Sequence, residues 1–184
     1  PQTVATAAPM LRWISMSGDE RKFREHFWMK EGVHAGLQSF FVQERTSPDS
    51  TITLEGKFFP EDEDFRFALR YERADVGFVN AGFEQYQKYY DDSGGFYPFV
   101  QPLFSLDRDL ELRTGRAWLD FGLTLPDAPR ATIGYEYQFR DGMKSTLQWG
   151  PVSRSSLPVF PETGTQRNIY PAFKEINEDV HIIK

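Results

Sequence analysis

Three histidines, His26, His34 and His181, are the only imidazoles among 184 residues, and none stands in a metal-binding spacing such as HExxH. His26 and His34 cannot meet at one ion if both lie on a single extended strand. The chain has no Cys, which excludes thiol nucleophiles, thiolate zinc sites, disulfides and covalently attached c-type haem within it. No GxSxG elbow presents a serine nucleophile, and Gly94-Gly95 lacks the GxxxxGK[ST] frame of a phosphate loop. With 27 carboxylates some Asp/Glu pair must come close in space, as a glycoside hydrolase needs, but no spacing singles one out. The run Glu61-Asp62-Glu63-Asp64 reads as a solvated turn, because the ligand spacing of a calcium-binding EF-hand does not follow it. The sequence therefore predicts no catalytic residue, no cofactor and no metal, and a non-enzymatic protein.

What the sequence does order is a polar surface. In Ala117 to Leu125, Ala131 to Arg140 and Met143 to Trp149, odd positions are mainly apolar and even positions mainly polar, a period of two that belongs to strands. On a shared meander the even positions place Asp120, Glu136, Gln138, Arg140, Lys144 and Gln148 on one face. Mixed charges on such a face suit structural ion pairs better than an ion-selective ring. Trp118 is the aromatic exception there, placed to plug a channel or stack on a sugar.

Side-chain parity specifies the expected register, since cross-strand partners share a face. Pairing Phe139 with Met143 leaves the three-residue loop Arg140-Asp141-Gly142. Pairing Leu125 with Ala131 leaves Pro126 to Arg130, where prolines end strands. Earlier strands are expected over Val33 to Val42, Thr51 to Phe58, Phe65 to Glu72 and Val76 to Gln85. Phe23 to Met29 is ambiguous between strand and helical turn. Tyr89 to about Arg113 reads as a long aromatic loop. The expected organisation is a flexible lead-in over 1–16, an antiparallel β segment over 17–150, and a long loop with a possible further strand over 151–184.

Composition narrows the partners. A net charge of −6 and the absence of a Lys/Arg run exclude a phosphate-tracking surface, so no nucleic acid is expected. Aromatic residues make up 16% of the chain, which suits half-buried pleated surfaces. No stretch of 18 apolar residues is present to form a spanning helix, a test that membrane β-barrels do not meet either.

Alternation alone leaves two architectures open. One is a soluble β-sandwich binding carbohydrate or protein through aromatic loops. The other is a segment of a transmembrane outer-membrane β-barrel, favoured by strands of about ten residues and by aromatics near strand ends. The stretches Ser17-Gly18-Asp19-Glu20-Arg21-Lys22-Phe23, Tyr90-Asp91-Asp92-Ser93-Gly94-Gly95-Phe96-Tyr97, Leu123-Thr124-Leu125-Pro126-Asp127-Ala128-Pro129, Gly134 to Gly142 and Gln148-Trp149-Gly150 resemble the MtrB/PioB-type outer-membrane barrels that sheath multihaem cytochromes. That resemblance implies a passive porin-like conduit or sheath in the bacterial outer membrane, and a chain that is part of a larger barrel. Its implied partners are outer-membrane lipid and a multihaem cytochrome, and the six polar residues above would line the lumen.

Overall fold

The computed structural model describes residues 2–94, 104–151 and 167–184. Strands β1 (Gln2–Ile14), β2 (Gly32–Ser47), β3 (Ser50–Phe59), β4 (Asp64–Arg73) and β5 (Gly77–Tyr90) are followed by a short ribbon, β6 (Ser93–Gly94) and β7 (Phe104–Ser105). β8 (Leu110–Leu123), β9 (Ala131–Pro151) and β10 (Arg167–Ile183) complete the order among the described residues, with a helix, α1 (Glu20–Phe27), and a 3-10 turn at Pro60–Asp62. Eight strands form one sheet in the order β1-β2-β3-β4-β5-β8-β9-β10. Every pairing is antiparallel between neighbours along the chain, apart from the ribbon. β1 and β10 are the two edges and do not pair with each other.

The antiparallel meander is as the alternation predicts, but the barrel is not. A sheet spanning hydrocarbon must close, because each unpaired edge N–H or C=O costs several kcal/mol there. This sheet is open along both outer strands. Its edges instead carry the residues that suit a free border: Pro9 in β1 and Pro171, Lys174, Glu175, Glu178 and Asp179 in β10.

Parity survives where register does not. Leu123 faces Ala131, Leu119 faces Tyr135 and Ala117 faces Tyr137, two residues from the expected pairing and hence on the same face. The expected hairpin at Arg140-Asp141-Gly142 does not form. β9 runs through it for 21 residues, because β10 pairs with both sides of the site, Asn177 with Asp141 and Ile176 with Gly142. Gly142 is needed for close approach rather than for a turn. Its φ is +136°, and a Cβ there would lie 2.2 Å from the Glu111 carbonyl oxygen.

Two segments differ from expectation. Residues 2–14, expected as a lead-in, are paired strand, and the segment 110–113, expected within a loop, opens β8; the further strand expected near the end is the long edge strand β10. The ambiguous stretch around Phe23 is helical: the Asp19 side chain accepts from the amides of Arg21 and Lys22, capping α1, and Trp28 ends it in the left-handed region at φ 56°. The aromatic loop expected through Phe96 and Tyr97, and the tail between 152 and 166, lie outside the described residues.

The sheet has two unlike faces, and both are open to solvent. Strand register puts Leu54, Phe67, Leu69, Leu119, Phe121, Leu123, Ile133 and Tyr135 on one face, and all of them are 37–62% exposed. On the opposite face Glu136 is 6% exposed, whereas the side chains of Arg70, Glu72 and Arg140 are 53–60% exposed. In water the apolar face of such a sheet is ordinarily covered by another layer.

Candidate functional site

The six residues expected on the polar face stand at even positions of β8 and β9, where register keeps them together. They do not converge on one centre. Asp120 lies against Gly134, so closely that a Cβ at Gly134 would come within 2.0 Å of the carboxylate. Glu136 is the best held of the six: it accepts hydrogen bonds from Lys184 Nζ and from Gln138 Nε2 at 2.6 Å, with Arg116 Nη1 at 3.9 Å. Arg140 pairs with Glu178 on β10 at 3.5 Å. Lys144 Nζ lies 5.9 Å from the Tyr90 ring, and Gln148 is exposed. These are structural contacts in an open sheet surface. Trp118 is also packed, resting on Gly82, whose Cβ would meet its ring at 2.1 Å, under the Arg116 guanidinium at 5.0 Å.

The hydrogen bond from Lys184, reinforced by Gln138, holds the Glu136 carboxyl below the ordinary range. A carboxyl lowered in the folded state stabilises it above the unfolded value of about 4.3, and that contribution disappears as pH falls through the folded value. Urea midpoints should therefore fall from pH 5 toward pH 3, with a shallower slope for Glu136→Gln. Equal slopes would show that Glu136 contributes nothing to acid sensitivity.

A second polar cluster lies where β5 overhangs β4. β4 pairs with β5 only as far as Gln85, while β5 continues to Tyr90. α1 packs on this overhang, held by cations along its length: Arg21 Nε to Asp92 at 3.1 Å, Lys22 Nζ to Asp91 at 2.7 Å and Arg24 Nη1 to Asp109 at 3.0 Å. Burial raises the Asp91 carboxyl, but hydrogen bonds from Lys22 and Ser93 outweigh it and leave the group lowered; Lys22 is raised by the same bond. Burial pushes the Tyr89 phenol, which lies near Arg24 and Lys30, up to about 12.

Beside this helix, two strands and the 3-10 turn bury a charge. Asp62 is 6% exposed, so the acidic run is not wholly a solvated turn. Its Oδ1 lies 2.7 Å from His34 Nδ1 and its Oδ2 lies 3.5 Å from Arg12 Nη2. These two contacts set the buried carboxyl between an imidazole and a guanidinium. His34 is fixed from its other side, Nε2 to the Lys30 carbonyl oxygen at 2.8 Å. Arg12 reaches Met29 Sδ at 2.8 Å and stacks 4.3 Å from the Phe59 ring centre. A cavity of about 320 Å³ opens here, lined by Arg12, Trp28, Asp62, Tyr86 and Gln87 among others. Sequence reasoning missed this cluster because its members are scattered over four elements. A short acidic run after Pro60 gives no local sign that its second member, Asp62, is buried.

Among the described residues no group of three His, Cys, Asp or Glu side chains is placed to hold a metal ion, and no helix is long and apolar enough to cross a membrane. His26 lies on α1 and is exposed, and His181 pairs with the Tyr135 hydroxyl at 2.7 Å.

The chain matches no protein-family model, no curated protein and no solved structure. The resemblance to MtrB/PioB-type barrels is thus not upheld, and the stretches that carry it have a local explanation: Arg21 and Lys22 of the first pair with Asp92 and Asp91 of the second. The expectations derived from it, a conduit or cytochrome sheath, lipid and cytochrome partners and an outer-membrane location, fall with it and with the open sheet. What fold and surfaces define is a class: an open antiparallel meander domain with one apolar and one ion-paired face.

Proposed function

We propose that the chain is a non-catalytic protein-association module whose apolar sheet face packs against a second copy of itself, completing a β-sandwich between chains. The observation that carries this reading is the contiguous apolar face that no layer covers among the described residues. Exposed aromatics alone, Trp13 at 81%, Phe121 at 47% and Tyr135 at 44% among them, each present a large part of the ~200 Å² such side chains bury. With the aliphatic residues, the face offers on the order of 1,000 Å², beyond the few hundred of an ordinary monomer patch and above the ~800 Å² per partner of a standard interface.

Self-packing suits the charge pattern. Across the centre of the face, Ile52, Leu54, Phe67, Leu69, Val79, Ala81, Leu119, Phe121 and Ile133 carry no charge, so two identical faces meet without repulsion, and a two-fold axis supplies self-complementarity. Two such sheets pack about 10 Å apart in a sandwich. Edge-to-edge pairing is disfavoured by the prolines and charges of β1 and β10. Sedimentation equilibrium should give twice the chain mass at micromolar concentration. A single-chain mass throughout the micromolar range would overturn the proposal.

A further inference from the structure

The helix α1 is attached to the rest of the fold by charges rather than by a core. None of its eight residues is buried, and a helix of that length falls short of the about 12–15 residues that hold together alone in water. Its helical state therefore depends on what it rests against. Arg21 Nε meets Asp92 at 3.1 Å, and Arg21 Nη1 donates to Ser105 Oγ at 2.7 Å. Lys22 Nζ meets Asp91 at 2.7 Å, and Arg24 Nη1 meets Asp109 at 3.0 Å.

The two sides of this contact differ in burial. The side chains of Asp91 and Asp92 are 5% and 4% exposed, while those of Lys22 and Arg21 are 55% and 37% exposed. The cations reach water with the helix seated; the carboxylates do not. Past the last turn, Trp28 stacks on Tyr86 with ring centres 5.8 Å apart, and Lys88 Nζ lies 4.6 Å from the Trp28 ring, yet Trp28 remains 40% exposed.

The connections to the sheet are built to turn. Gly18, between β1 and α1, has φ +122°, and Gly32, which opens β2, has φ +135°; a Cβ at either would meet nothing within 4 Å. Glycine alone has that backbone freedom without strain, and hinges commonly lie at loop or element-terminal residues of this kind.

We propose that α1 is an electrostatically latched strap. It lifts as a unit about Gly18 and Gly32 when its ion pairs are screened or removed, while the eight-stranded sheet stays folded, and so it controls whether Asp91 and Asp92 meet solvent. Segments with few buried apolar contacts are the ones that open locally, and salt weakens pairs whose partners reach water. The strap works within a single chain, whether or not the apolar faces associate.

Hydrogen exchange with mass spectrometry on the intact chain, at fixed protein concentration, reads strap and sheet together. Amides of α1 should exchange at least a hundredfold faster than those of β3 and β4. Raising sodium chloride from about 0.01 M to about 1 M, which shortens the Debye length from about 30 Å to about 3 Å, should speed α1 several-fold and leave the sheet unchanged. Arg21→Gln and Lys22→Gln should each speed α1 tenfold or more. His26→Gln, at an exposed position of the same helix, should leave it within twofold. Exchange in β3 and β4 shows in the same run whether a variant has lost its fold. The proposal is overturned if α1 exchanges no faster than the sheet, if salt or the two latch variants speed both by the same factor, or if Arg21→Gln and His26→Gln act alike.

Discussion

Phe121→Lys and Ile133→Lys should each turn the associated protein into single chains, weakening self-association a hundredfold or more. Phe121 sits between Val79 and Ile133 across three neighbouring strands, at the centre of the uncharged region, 47% exposed where Ile133 is 62% exposed. On a free surface a lysine at either position is harmless, since its ammonium stays in water. Inside a sheet-on-sheet interface it is an unpaired buried charge costing several kcal/mol, and each 1.4 kcal/mol is tenfold in affinity. Val180→Lys supplies the control: Val180 is similarly exposed, at 47%, but pairs with Gln138 on the opposite face. Sedimentation should show the first two variants as single chains and Val180→Lys unchanged. If all three behave alike, the apolar face is not the contact.

Removing the Arg12 guanidinium should be the most damaging single change to stability. The Asp62 side chain is 7% exposed, with Arg12 at 3.5 Å and His34 at 2.7 Å. Taking one partner from a buried ion pair costs about 3–5 kcal/mol because the other charge stays buried. Arg12 is itself 29% exposed and 3.5 Å away, so Arg12→Met belongs at the low end, about 3 kcal/mol. Adding Asp62→Leu to Arg12→Met should restore most of that loss, because the stranded carboxylate goes with it. Urea unfolding at fixed protein concentration, to hold association constant, measures both. A change below about 0.5 kcal/mol for Arg12→Met would show that the Arg12 contact does not hold Asp62 in the folded state.

The sequence made the strands legible where one period ran uninterrupted. Phe65 to Glu72 and Ala131 to Phe139 alternate so regularly that no helical reading competes, and parity alone placed Tyr135 and Glu136 on opposite faces. It misled at Gly142. Asp-Gly beside alternating strands has the local chemistry of a hairpin, and only the long-range pairing of Asn177 and Ile176 keeps β9 straight. It also misled on architecture. A period of two reports that two faces differ, not what covers either, so an apolar stripe reads alike for lipid, a second sheet or a core. Closure depends on whether β1 meets β10, more than 150 residues away along the chain and invisible to any window. Register keeps the six polar residues on one face, whereas the cavity beside α1 was out of reach. Arg12, Trp28, Asp62 and Gln87 are brought together by the β5 overhang, a consequence of unequal strand lengths rather than of any motif.

Hydroxyl-radical labelling across a dilution series addresses the association directly. Trp13, Phe121 and Tyr135 should label slowly when concentrated and several-fold faster once diluted below the dissociation constant, while Phe27, on α1, labels at one rate throughout. If the three aromatics label at the same rate at every concentration, no second sheet covers them.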